Sequence, residues 1–147
     1  MRYWILLVPL LSAILMMACV TTTPRPGELQ AFSQACEKSN EGELIAVEGY
    51  LRLPDTFTPG DSVELLLYRD LTFSGEPIGA TISFGEGPNQ AERISSSYQD
   101  SDLKIHLADG SPVPFGTKVR VSGSMYLPVV PQNFDCGLQN LYIEAAK

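Results

Sequence analysis

The chain has 147 residues, 44% of them hydrophobic, with 17 Asp+Glu against 10 Lys+Arg and a formal net charge of −7. That length suits a signal segment and one domain with a single core. The acidic balance argues against nucleic acid and against an anionic bilayer surface, since both are bound largely through Lys and Arg.

Residues 5–19 form an apolar run ending Leu15-Met16-Met17-Ala18-Cys19, with Arg2 the only charge ahead of it. This is the layout of a secretory signal. It is too short to span a bilayer, which takes about 20 apolar residues, and Pro9 interrupts it. The end of the run resembles the lipobox of bacterial lipoproteins: Ala18 and Cys19 fit, Met16 stands where leucine is usual and Met17 where a small residue is preferred. The resemblance implies removal of residues 1–18 as a signal peptide and lipidation of Cys19 by a diacylglyceryl thioether, usually with an amide-linked acyl chain such as palmitate. Two or more chains make attachment to a membrane stable. Val20 resembles outer-membrane sorting, for a host with two membranes. An ordinary secretory signal with an incidental Cys19 is the other reading. Loss of Arg2 would leave the mature chain one unit more acidic than the whole.

Residues 20–27, Val-Thr-Thr-Thr-Pro-Arg-Pro-Gly, read as a tether reaching up to roughly 25 Å. The domain then runs over residues 28–147. Between residues 28 and 40, Leu29, Phe32, Ala35 and Cys36 recur at helical spacing and predict a short N-terminal helix lying against the domain.

Strand signals follow. Residues 43–53 alternate, with Ile45, Val47, Gly49, Leu51 and Leu53 on one face, and Gly49 lets a long first strand bend between two sheets. Val63, Leu65 and Leu67 mark a second strand, and residues 78–84 a third. Residues 85–98, rich in Gly, Pro, Asn and Ser, read as an excursion with one helical turn near residues 89–93. Leu103, Ile105 and Leu107 alternate with Lys104 and His106, and residues 118–126 place Val119, Val121, Gly123 and Met125 inward. A proline-rich loop over residues 127–137 precedes a last strand at 138–145. Strands separated by turns with little helix predict an all-β domain.

The stretches Asp102-Leu103-Lys104-Ile105-His106-Leu107-Ala108-Asp109-Gly110 and Phe115-Gly116-Thr117-Lys118-Val119-Arg120-Val121-Ser122-Gly123 resemble the later strands of OB-fold domains. More narrowly, they are similar to exported bacterial OB domains of the tRNA anticodon-binding-like group, which share the Gly-x-x-Val-x-Val-x-Gly cadence. The resemblance implies a small OB-like β-barrel of five to six strands, with a β-sandwich as the alternative. It carries over no catalytic residue.

In an exported chain, three cysteines divide into Cys19 for lipid and a Cys36–Cys136 disulfide. A metal site with Asp135 or His106 is the sharper alternative, but no second Cys/His pair stands at ligand spacing. His106, the only histidine, is expected to face outward from its strand. A hydrolytic constellation could draw on His106, Asp109 and Ser95, Ser96 or Ser97, without a nucleophile elbow to support it. Asp100 and Asp102 fit a solvated turn, and Gly85-Glu86-Gly87 lacks the rest of a nucleotide fingerprint.

OB folds bind ligands across their second and third strands and the flanking loops. Tyr68, Arg69, Tyr98, Lys104 and His106 are therefore the candidate ligand-binding residues, suited to a saccharide or a peptide. The plainer reading pairs the tyrosines across strands for stability alone. The expectation is a lipid-anchored, non-enzymatic binding or accessory module of the cell envelope, with no cofactor and no metal. The alternatives are a nucleic-acid-binding OB domain or an envelope hydrolase.

Overall fold

The computed structural model describes residues 23–147 apart from Phe57 and Pro59, so the expected signal peptide and Cys19 lie outside the described residues. Among the described residues nine strands follow in chain order: β1 (Glu28–Leu29), β2 (Leu44–Arg52), β3 (Ser62–Tyr68), β4 (Ile78–Phe84), β5 (Gln90–Ala91), β6 (Lys104–His106), β7 (Pro112–Pro114), β8 (Lys118–Tyr126) and β9 (Gly137–Ala145). Alternation in the long strands sends Val47 and Leu51 of β2, Val63 and Leu65 of β3, and Val119 and Val121 of β8 into one buried core.

Five of these strands close a barrel. β2 pairs with β3, β3 with β4, β9 with β8 and β8 with β2, all antiparallel, and the parallel pair β4–β9 completes the ring. The domain is thus all-β and built on a small OB-like barrel. β2 belongs to two neighbours: Leu44–Tyr50 pair with β8, and Tyr50–Arg52 pair with β3. Gly49 sits at that change of partner, where a Cβ would lie 2.3 Å from the Tyr68 carbonyl oxygen. Only glycine admits that approach, as the expected bend requires.

The expected N-terminal helix does not form. Glu28 and Leu29 instead pair in parallel with Ile45 and Ala46 of β2, leaving Leu29 exposed, and two single 3-10 turns follow at Phe32–Gln34 and Lys38–Asn40. The Asn40 side-chain amide donates to the carbonyls of Gln34 and Ala35, which ends the first turn. The periodicity was real for Phe32, Ala35 and Cys36, which pack on the core, but a free edge of β2 captured the rest. Likewise, the expected helical turn near residues 89–93 is replaced by β5, because Asn89 adopts φ 57° and its Oδ1 accepts the Ile143 amide.

β6 also departs from expectation. It is not a barrel strand but the middle of a β5–β6–β7 meander attached to the end of β4. The two stretches with OB-like cadence therefore part company, and only the second, in β8, lines the barrel. Cys36 and Cys136 form a disulfide with Cα atoms 5.4 Å apart, tying the N-terminal turn to the loop before β9.

The outer face of β2, β8 and β9 is a charge network. Glu48 bonds Arg120 at 2.8 Å and Lys118 at 3.0 Å, while Arg120 also reaches Glu144 at 3.3 Å. Hydrogen bonds from Arg120 and then Lys118 hold the Glu48 carboxyl below its ordinary value.

Candidate functional site

The outer face of β3 and β4 is built differently. Their register sets Ser62 beside Ser83, Glu64 beside Thr81 and Leu66 beside Gly79, so one sheet surface carries hydroxyls around a single carboxylate. Two glycines make room for aromatic rings across it. A Cβ on Gly79 would meet the Phe134 ring at 2.7 Å, and one on Gly137 would meet the Tyr126 ring at 2.4 Å. The far end of each ring therefore sits against a glycine in the neighbouring strands, the use of strand glycine that close approach favours.

The Phe134 ring comes from the loop between β8 and β9, and it is only 6% exposed. The disulfide lies two residues further on, and the Cys136 carbonyl accepts the Gly79 amide at 2.9 Å. This end of the loop is thereby fixed to β4. Its tip is not: Val129 and Val130 stand in solvent.

From β8, Tyr126 reaches over Gly137 and donates its hydroxyl to Glu64 Oε1 at 2.8 Å, where Thr81 Oγ1 also donates at 3.4 Å. Burial first, and the Glu64 bond second, push the Tyr126 phenol up to about 12. The phenol stays a donor at any working pH, so Glu64 accepts through Oε1. Among the described residues, no protein group bonds Oε2.

Two clefts flank this chain of bonds. The first, of about 260 Å³, lies between the β2–β3 loop and the β8–β9 loop, with Thr56, Ser62, Glu64, Leu66, Asn133 and Phe134 among its walls. The second, of about 420 Å³, is walled by Thr81, Ser83, Tyr126, Gln139 and Asn140, and by Pro24 from the segment read as a tether. Glu64 walls the first and Tyr126 and Thr81 wall the second, so the bonds among these three residues link the two clefts' walls. Among the described residues, no lysine or arginine lines either cleft. Neutral donors and acceptors with one uncompensated carboxylate can hydrogen-bond a polar ligand, and they repel an anion.

The five residues expected to converge do not meet on this face. Tyr68 is buried, its ring edge-on to Phe73 at 5.6 Å, and Phe73 stacks on Phe115 at 5.5 Å beneath the Arg52 guanidinium. Arg52 bonds Asp100 at 2.8 Å. Tyr98 joins the same region, donating its hydroxyl to the Pro54 carbonyl, with its phenol raised by burial and by Asp55 and Asp100. Tyr68 and Tyr98 thus belong to a packed aromatic and arginine cluster. Arg69 is exposed beside Asp70 at 3.7 Å.

Lys104 and His106 form a third group on β6, both bonded to Glu92 at 3.1 Å. His106 is not the outward imidazole expected. It is 9% exposed, because Nδ1 lies 3.3 Å from the Gly110 carbonyl and Nε2 faces Glu92. The turn after β6 folds back over it. Asp109 is held instead by Ser111, and Ser95 bonds the Ser97 carbonyl, so no hydrogen bond links His106 to the serines or aspartate of the hydrolytic alternative. The two cysteines bond each other, which removes both from the metal alternative.

The face that forms the clefts rests on Glu64, Tyr126 and Phe134, none of which the sequence singled out. One signal pointed there: Gly79 falls inside a strand pattern, and an isolated strand glycine marks close approach. In comparisons with known proteins, no family model, curated protein or solved structure matches the chain.

Proposed function

We propose that the chain is a lipid-anchored module of the cell envelope that binds a saccharide or peptide on the β3–β4 face and carries out no reaction of its own. The observation that supports this most is the paired clefts, on the strand pair and between the loops where OB-like barrels take ligands. Their walls suit a polar ligand. The nucleic-acid alternative draws no support from clefts whose described walls hold no lysine or arginine, since phosphate binding depends on them.

The anchor rests on the lipobox resemblance at Cys19. Pro24 already lines the second cleft, so at most about 14 Å of chain, the reach of four residues, can separate it from the end of the tether nearest the acyl groups. The clefts would then work close to the bilayer rather than at the full reach of a free tether.

Intact mass spectrometry of the protein from membrane fractions tests the anchor. A mature start at Cys19 with added acyl mass supports it, and an unlipidated chain contradicts it. Co-sedimentation with insoluble envelope polymers tests the binding role. Asn133→Trp, which fills the first cleft from its rim, should abolish co-sedimentation. A variant that sediments like the wild type would remove this face from the account.

A further inference from the structure

We propose that this face takes an uncharged glycan and that Glu64 is the group that reads it, accepting a sugar hydroxyl through Oε2. This rests on the reading of the β3–β4 face as the binding site and narrows it from a saccharide or peptide to one ligand class.

The outward row offers Ser62, Glu64, Thr81, Ser83 and Gln139 beside Leu66, and the nearly buried Val63 and Leu141 are the other aliphatic side chains among the described cleft walls. A peptide laid on a sheet is discriminated by pockets for alternate side chains, and a row of hydroxyl and amide tips does not make such pockets. Those same tips are paired donor and acceptor groups, which match the hydroxyls of a sugar ring. The aromatic rings serve as floor, since Phe134 is nearly covered and Tyr126 lies over Gly137.

Glu64 gives the row its direction. Its Oε1 already accepts the Tyr126 hydroxyl and Thr81, and those bonds fix the carboxylate plane. A carboxylate can only accept, and a bond to an ionised acceptor is roughly twice as strong as a neutral one. A ligand hydroxyl that donates to Oε2 is therefore favoured, and a carboxylate-bearing sugar placed there is repelled. Tyr126 is a positioning residue that acts through Glu64.

Calorimetric titration of the full chain with three oligosaccharides of equal length tests this: one neutral, one carrying carboxylates, one carrying amines, with a mixed peptide pool as a fourth arm. Labelled amides of β3 and β4 report where each binds. The neutral oligomer should bind at the β3–β4 face at least tenfold more tightly than the carboxylated one. Glu64→Gln should weaken the neutral oligomer about tenfold and narrow its preference over the carboxylated one. Tyr126→Phe, which keeps the ring over Gly137, should lose part of the same preference while unfolding at a similar temperature.

Neutral binding at this face that is unchanged in Glu64→Gln would overturn the role of Glu64 and leave the face as a binding site. Tighter binding of the carboxylated or the amine-bearing oligomer than of the neutral one, or binding of peptide alone, at this face would overturn the ligand class. Binding that leaves the β3–β4 amides unmoved, or no binding in any arm, would overturn the inference together with the reading beneath it.

Discussion

The barrel presents two outer faces of opposite chemistry. On β2, β8 and β9, Glu48, Lys118, Arg120 and Glu144 answer one another, and Glu48 is 19% exposed with both oxygens bonded. On β3 and β4, Glu64 meets only hydroxyls among the described residues, through one oxygen, and lines the first cleft, while its partners Tyr126 and Thr81 line the second. A carboxylate compensated within the fold is a structural group. One held in place by neutral donors without a cation remains available to a ligand, and that contrast locates function more sharply than net charge does.

The largest effect should come from removing the bridge that fixes the β8–β9 loop. Its 100-residue separation corresponds to about 4.7 kcal/mol in the chain-entropy treatment. Paired Cys36→Ser and Cys136→Ser substitutions should lower the urea midpoint accordingly. Amide exchange should rise first in residues 127–137 and around Gly79, and last on the β2–β8 face. Uniform exchange across both faces would break the comparison.

Next in size is Gly79→Ala. A methyl group there collides with the Phe134 ring, and overpacking of this kind costs about 1–3 kcal/mol. The ring should leave the floor of the first cleft, visible as a changed near-ultraviolet aromatic signal, with the Glu48 network untouched. An unchanged signal would mean that Phe134 does not rest on Gly79.

The smallest effect lies on the charged face and sharpens the comparison by pH. Arg120 and Lys118 lower the Glu48 value in the folded chain from an ordinary 4.5. Stability from this carboxylate is present above about pH 4.5 and is lost as pH falls through the lowered folded value. Glu48→Gln should therefore cost about 1 kcal/mol near pH 7, a modest figure for a partly screened pair, and progressively less as pH falls below 4.5 through the lowered folded value. Parallel stability curves for the two proteins between pH 3 and 7 would contradict this.

Much of the barrel was legible because its information is local. Alternation in Ile45–Val47–Leu51 and Val119–Val121 needs only period two, and Gly49 in a long strand announced the change of partner that the register shows. The N-terminal helix failed for a non-local reason: an unpaired edge of β2 recruited Glu28 and Leu29. β6 carried a true strand pattern, yet nothing in Leu103, Ile105 and Leu107 distinguishes a barrel strand from a meander hung on β4.

The site was harder still. Tyr68, Lys104 and His106 look available in sequence because they alternate with apolar neighbours, whereas Phe73 covers the first and Glu92 holds the other two. Glu64, Tyr126 and Phe134 come together only once β3, β4, β8 and β9 are in register. Of these contacts, sequence could have flagged Gly79, not the ring that packs against it.

The most direct test is an amide-shift map of the labelled full chain titrated with a neutral oligosaccharide. The account predicts movement confined to Ser62–Leu66, Gly79–Ser83, Tyr126 and residues 132–139, with Glu48, Arg120 and Glu144 still. Shifts centred on the Glu48 network, or on the Lys104–His106–Glu92 group, would contradict it.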